Sequence, residues 1–372
     1  MVTNSAAWYK SKFDAFQVDS APYTQPGDKE IVVRNYAVAI NPLDRIIQKL
    51  GGFMYGWLKF PTILGTDLAG EVIEVGPKVT RFKVGDRVLA FAVGVEKSRN
   101  RAAEGAFQNI TVVLEHLTAK IPSSLSYEDA AVLPLGISTA ASGMFQKDML
   151  ALDYPTADPK PKNEIFLVWG GSTSVGNNAI QLAVRAGYTV IATASPKNFD
   201  YIRGLGASHV FDYKSKHVVR DIRKVLKRQK FAGAIAIGAN SVPRCIDIAA
   251  SSKGHKFVAV ATFPIDLDSI PERSGTLAIV PRVLPQIISA AIGLGLKAAF
   301  GGVKTKNIWG SSLMDNEVSH VLFEDFLPQA LETGQYRAVP EPLVAGHGLA
   351  TIQQAIDLSK RGVSAQKLVV TL

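Results

Sequence analysis

The stretch from Glu164 to Gly187, EIFLVWGGSTSVGNNAIQLAVRAG, constrains this chain more than any other. EIFLVW is a short, nearly continuous apolar run of the kind that forms a buried strand. Gly170 and Gly171 follow it at once. Val175, Ala179, Leu182, Ala183 and Ala186 then recur at helical spacing, and Gly187 stands where such a helix can stop. Strand, glycine turn and helix in this order leave the first helical N–H groups pointing out of the turn. There they and the helix dipole stabilise an anion.

The turn itself reads Gly171-Ser172-Thr173-Ser174-Val175-Gly176, with threonine where a Gly-x-Gly-x-x-Gly turn has its second glycine. That glycine lets a pyrophosphate approach the backbone closely. Thr173 adds bulk, so the phosphate is expected slightly farther out, with the hydroxyls of Ser172, Thr173 and Ser174 as bridging donors. The competing reading is a Ser/Gly-rich loop that holds no ligand. The next strand, in YTVIATASPKNF, ends without the Asp or Glu that usually takes the ribose hydroxyls of NAD. Ser195, Lys197 and Asn198 follow it instead, and an ammonium with hydroxyl and amide donors suits a 2′-phosphate. The expected cofactor is NADPH; Lys197 as an ordinary surface lysine is the alternative.

Around this unit the chain changes rhythm. The first third gives short β-branched runs between turn residues, such as EIVVRNYAVAI (30–40), AGEVIEVG (69–76) and GDRVLAFA (85–92). These predict an antiparallel, barrel-like domain. EDAAVLPLGISTAASGMF predicts a helix with Glu128 and Asp129 in its first turn, and a proline-rich connector, LDYPTADPKPKN, follows. Apolar runs of strand length then alternate with helical segments, as in a doubly wound parallel sheet.

A length of 372 residues suits two domains, and the single cysteine, Cys245, precludes intrachain disulfides. A reducing, cytoplasmic location is expected, and MVTNSAAWYKSKFDAF has no apolar core of a secretory signal. The run Val283–Phe300 is interrupted by Pro285, Gln286, two glycines and Lys297, so a core or interface helix is expected rather than a membrane span. The formal charge is +9, much of it in KSKHVVRDIRKVLKRQK (214–230). Without interleaved aromatics this reads as a solvated helix face, and neither nucleic acid nor membrane is an expected partner.

Six ordered motifs resemble the medium-chain dehydrogenase/reductase superfamily over nearly the whole chain. They are AVAINPLD (37–44), ILGTDLAGEVIEVG (63–76), FKVGDRV (82–88), EGAFQNITVV (104–113), AAVLPLGISTA (130–140) and GGSTSVGNNAIQLA (170–183). The resemblance is to the zinc-independent branch of quinone oxidoreductases and fungal trans-acting enoyl reductases. It implies an α/β chain: a GroES-like barrel catalytic domain from both chain ends (1–133 and 335–372), and a Rossmann domain with a doubly wound parallel sheet (134–334). Zinc-dependent members carry Gly-His-Glu where this chain has Gly65-Thr66-Asp67, and cysteines near Pro42 and Leu135. One distant cysteine and six histidines without paired spacing cannot rebuild that donor set.

Without a Lewis acid, the acceptor is expected to be conjugated already: an enone, an α,β-unsaturated thioester or a quinone. The protein then mainly holds the nicotinamide against the electrophilic carbon. The resemblance implies Asn41, Asp44 and Thr139 as catalytic residues, and Leu135, Gly136, Ile137 and Ser138 as pocket lining, with Tyr55 able to reach inward. It implies cofactor contacts from Gly171 to Val175 and from Ser195, Lys197, Asn198, Tyr213, Val260, Ala261, Val363 and Ser364. Turn formation by Asn41 and Asp44, and core packing of Tyr213, are the plainer readings. Where relatives carry a proton-donating Tyr or Lys, this chain has Ile46, so protonation falls to another side chain or to water. The segment 262–312 is expected to shape the acceptor pocket. The leading reading is an NADPH-dependent reductase of an activated double bond. A quinone reductase and an NADPH-binding sensor or assembly partner are the alternatives. A small-molecule substrate, deliverable on an acyl carrier, and a monomer or homodimer complete the expectation.

Overall fold

The structure, a computed structural model, describes residues 3–51, 53–262, 270 and 276–372. The chain forms two compact units, one of Met1–Leu135, Asp266–Val283 and Phe323–Leu372, the other of Gly136–Ile265 and Leu284–Leu322.

The first unit opens with β1 (Asn4–Tyr9), β2 (Gln17–Ala21), β3 (Glu30–Ala39), α1 (Pro42–Leu50), β4 (Thr62–Ile63), β5 (Asp67–Val75), β6 (Arg87–Phe91), β7 (Ile110–Leu114), β8 (Thr118–Lys120) and α2 (Tyr127–Ala131). Its main sheet is antiparallel through β3-β5-β6-β8, with β7 also on β3. Alternation puts Val33, Val38, Leu68 and Val88 into one core with Phe107 and Ile47. Ser126 caps α2 by accepting the Asp129 N–H at 3.0 Å. The sequence predicts one helix here; there are two. Pro134 restricts Leu133, so α2 stops and α3 (Pro134–Phe145) begins afresh with proline in its first position.

The second unit continues with β9 (Glu164–Trp169), α4 (Ser174–Arg185), β10 (Thr189–Ala194), α5 (Phe199–Gly204), β11 (His209–Asp212), α6 (Val218–Leu226), β12 (Lys230–Ala236), α7 (Ser241–Ser251), β13 (Lys253–Gly254) and β14 (Phe257–Val260). The long helix α8 (Thr276–Gly301), which begins in the first unit, leads into β15 (Lys304–Asn307) and α9 (Glu317–His320). The strand order is β11-β10-β9-β12-β14-β15, and every pair is parallel. The order reverses between β9 and β12, the place where open α/β sheets bind ligands beyond their carboxyl ends. This is the doubly wound sheet that the alternating apolar runs predict.

Four further elements return to the first unit: α10 (Leu327–Glu332), β16 (Glu341–His347), α11 (Ile352–Ser359) and β17 (Gln366–Thr371). The last strand pairs antiparallel with β3, Val369 opposite Ala39, so the carboxyl end closes the sheet begun near the amino end.

Of the two alternatives expected for Val283–Phe300, core or interface helix, the first needs correction. Leu284, Ile288, Ile292, Leu296 and Phe300 are all exposed, so this is not a core helix. Among the described residues, Ala278–Gly301 is the one helix long and apolar enough to cross a membrane by length and composition, at mean hydropathy 1.6.

Candidate functional site

In the parallel-sheet unit the site grows from the end of β9. Gly170 has φ +92°, a region closed to most side chains, and a Cβ there would press on the Ile237 carbonyl. A Cβ at Gly176 would collide with the Gly170 carbonyl, so glycine is needed at both ends of the turn. Thr193 of β10 clamps the turn, its hydroxyl accepting the Gly170 N–H at 3.1 Å and its carbonyl the Gly171 N–H at 2.8 Å.

Thr173 corrects an expectation. Its hydroxyl accepts the Gly176 N–H at 3.0 Å and donates to the Gly170 carbonyl at 2.8 Å. It is the N-cap of α4, and its proton is already used inside the turn. Ser172 is half-buried, and the buried Ser174 hydroxyl has no hydrogen-bond partner in the protein. A buried hydroxyl without a partner costs free energy that a bound group can recover. The N–H groups of Ser174 and Val175, first in the helix, have no carbonyl within it to bond. Orphan hydroxyl, free amides and dipole together fit the pyrophosphate of a dinucleotide. Thr173→Ala should therefore cost about 0.5–2 kcal/mol of stability, and Thr173→Ser little, as read by urea unfolding.

Residues absent from the sequence reading brace this turn. Asn177 donates to the Gly171 carbonyl at 2.6 Å and accepts from the Tyr201 hydroxyl at 2.6 Å. Arg244 of α7 lies over the Trp169 ring, 5.6 Å from its centroid, and donates to the Tyr213 carbonyl. That puts another cation at the carboxyl edge of the sheet. The signal for Thr173 was available, since threonine directly before a first helical residue is a cap pattern.

The other predicted positions of this unit fall after β10 and β11, at the end of β14 and in α3. Ser195 is half-buried and Lys197 exposed just after β10, in a single turn of 3₁₀ helix, while Asn198 is buried behind them. Tyr213 follows β11 and is partly exposed, which rules out the plainer reading as core. Val260 ends β14, and the Ala261 N–H bonds the Ala236 carbonyl at 2.9 Å. Gly136 packs so closely on Ser174 that any side chain there would strike its hydroxyl. Ile137 and Ser138 are buried in α3, the Ser138 hydroxyl also lacking a partner, and Thr139 is half-buried.

In the first unit the predicted residues meet a buried polar cluster. The Asn41 N–H donates to the Asp44 carboxylate at 2.8 Å at the start of α1. The Asn41 amide donates to Asp67 at 3.0 Å and to the Thr66 hydroxyl at 3.1 Å. Lys367 of β17 closes the cluster, donating to Asp67 and, at 3.0 Å, to the Val132 carbonyl. The other Asp67 oxygen accepts the Leu135 N–H at 2.7 Å. Asn41, Asp44, Asp67 and Lys367 are all buried.

Burial pushes the Asp44 carboxyl from its ordinary 3.8 up to about 7, and the Asp67 charge adds to this; the Asn41 and Gly65 N–H groups and Lys367 oppose it. A raised carboxyl favours the folded state while protonated, so this contribution is whole below pH 3.8 and lost as pH rises through about 7. The neutral Asp44→Asn variant lacks this loss. Stability of the native protein relative to Asp44→Asn should therefore fall between about pH 4 and pH 8, as followed by urea midpoints.

Tyr55 is buried, stacked obliquely on Trp57 at 5.1 Å, and burial with the Glu96 and Asp44 charges drives its phenol far upward. Val363 and Ser364 are exposed just before β17. Ile46 is buried in α1. Of the segment 262–312, residues 263–269 and 271–275 lie outside the described residues.

The alcohol dehydrogenase GroES-like domain pattern matches residues 27–123. The dehydrogenase pigH of Monascus ruber is 47% identical, covering 100% of both chains. The trans-enoyl reductase himH of Aspergillus japonicus is 34% identical over 99% of this chain and 97% of its own. Among solved structures, mycobacterial Rv1454c complexed with NADPH superposes with a TM-score of 0.67 at 20% identity, covering 99% of this chain and 100% of that one. The antiparallel unit, the parallel sheet with its glycine turn and these full-length similarities agree, and the chain belongs to the medium-chain dehydrogenase/reductase superfamily, as an oxidoreductase of the fungal enoyl-reductase-like branch.

Proposed function

We propose that this protein is an NADPH-dependent, zinc-independent reductase of a conjugated C=C bond in an enone or enoyl thioester, acting in the cytoplasm. The observation that carries the reading is the carboxyl edge of the parallel sheet. There an anion cradle opens α4 after β9, Ser195 and an exposed Lys197 follow the neighbouring strand β10, and β10 ends without a carboxylate. A carboxylate there would repel a 2′-phosphate; an ammonium attracts it.

The acceptor class is supported by the trans-enoyl reductase himH, similar over nearly its full length. The donor set around Asp67 points the same way. Asn41, Thr66 and Lys367 surround it in place of thiol and imidazole, and an ammonium already neutralises the carboxylate. Among the described residues no group of three His, Cys, Asp or Glu could hold a metal ion. When bound, NADPH supplies the hydride, and an acceptor polarised by its own conjugation does not require a metal. The chain's own part is to grip the phosphates, seat the acceptor along α3, and keep a titratable carboxyl, Asp44, near neutrality. An acyl carrier suits delivery of the thioester form.

The test is consumption of NADPH by the purified protein with a cyclic enone, an enoyl thioester and a quinone, each with product analysis and with chelator present. Saturated enone or thioester product, unchanged by chelator, supports the reading. Quinol as the only product would transfer the protein to the quinone reductases, and tight NADPH binding without turnover on any acceptor would make it a sensor.

A further inference from the structure

Most of helix α8 from Pro281 to Phe300 is bare, and one row of large apolar side chains runs along it. Leu284, Ile288, Ile292, Leu296 and Phe300 follow one another at four-residue intervals, all exposed, with Phe300 at 91%. Such a row forms a single continuous ridge on a helix. At 1.5 Å per residue it runs for about 24 Å. Scattered exposed apolar residues need no explanation, but a contiguous row of this size marks a contact surface.

The opposite side of α8 fixes it in the fold. Ala298 and Leu294 pack into the core shared with α6, α7 and the sheet, and a Cβ at Gly301 would press against Ala250. The helix then runs straight into β15, so it cannot leave the fold to span a bilayer.

Charge identifies what the ridge meets. From Thr276 to Met314 the chain carries Arg282, Lys297, Lys304 and Lys306 and no carboxylate. Lys297 is tied to Asp247 of α7 at 2.7 Å, and Arg223 of α6 donates to the carbonyl of the same residue. This linkage sets α6 beside the ridge across α7. Its segment 214–230 exposes eight Lys and Arg side chains against the single Asp221.

We propose that this face of α6, α7 and α8 rests on an anionic lipid surface, the ridge entering the headgroup boundary while the flanking cations bind the lipid charges. An apolar ridge on a face that also carries exposed Lys and Arg is the pattern of an in-plane amphipathic contact. A second copy of the chain suits it poorly. A two-fold contact would set each ridge against itself and bring like-charged borders together, with no carboxylate from Thr276 to Met314 to offset them. The β15 edge presents Lys304 and Lys306, which discourage strand pairing with a neighbour. This goes against the sequence-based expectation of no membrane partner, which took the basic segment 214–230 as a solvated face and did not weigh the exposed row on α8.

The experiment is co-sedimentation of the full chain with vesicles of phosphatidylcholine, with and without phosphatidylserine. Binding should require the anionic lipid and decline as salt rises. Ile292→Ser/Leu296→Ser should weaken it by more than about tenfold. Lys227→Ala/Arg228→Ala, which leaves the ridge intact, should weaken it by about tenfold. Phe300→Trp should shift its emission to the blue on anionic vesicles, a readout independent of whether the serine variant folds. No binding to anionic vesicles, or equal binding to both compositions, overturns the proposal. So does a stable dimer in light scattering that the serine variant dissociates while vesicles remain unbound.

Discussion

Lys367→Met is expected to destabilise the protein by about 3–5 kcal/mol, the usual cost of removing one partner from a buried ion pair. Asp67 would keep its bonds from Asn41 and the Leu135 N–H but would hold an uncompensated charge in a site closed to water. The Val132 carbonyl would lose the ammonium as well, just where α2 ends before α3. The double variant Asp67→Asn/Lys367→Met removes both charges and should recover most of the loss, because the attraction in such a pair is largely spent on desolvation. Guanidinium unfolding of the single and double variants separates the two effects. If the single variant costs less than about 1 kcal/mol, the pair behaves as a surface bridge and the closed cluster described here is wrong.

Lys197→Ala should weaken NADPH by about 1.5–3 kcal/mol, the range of a hydrogen bond to a charged group, and leave NADH nearly unchanged. The preference follows from position. Lys197 stands exposed one turn past β10, where a sheet of this kind receives the adenosine ribose of a dinucleotide, and β10 itself ends without a carboxylate. Arg244, held between the Trp169 ring and the Tyr213 carbonyl, is a second cation at the same edge. A residual preference for NADPH in Lys197→Ala, lost in Lys197→Ala/Arg244→Ala, would assign the remainder to it. Equal weakening of both coenzymes would remove Lys197 from the 2′-phosphate site.

What the sequence made legible was local. EIFLVW and the helical spacing after it located β9, the turn and α4 because strand, glycine and helix are encoded within two dozen consecutive residues. The runs at 30–40, 69–76 and 85–92 became β3, β5 and β6 for the same reason, alternation on a half-buried sheet. Contacts between distant segments were not legible. Lys367 and Asp67 are 300 residues apart, and neither carries a local sign of the other. The raised Asp44 carboxyl depends on complete burial, which one helical turn does not report. The bulk of Thr173 is plain against the missing glycine, but its capping bonds to Gly176 and Gly170 follow from the geometry of the turn. The α8 ridge was apolar enough to look like core; its exposure is set by which neighbours the fold supplies.

Coenzyme binding underlies the whole account, and calorimetric titration of the native protein with NADPH and NADH measures it directly. Saturable heat is expected with NADPH, at an affinity about tenfold or more above that for NADH. No heat with either coenzyme, or equal affinity for both, would contradict it.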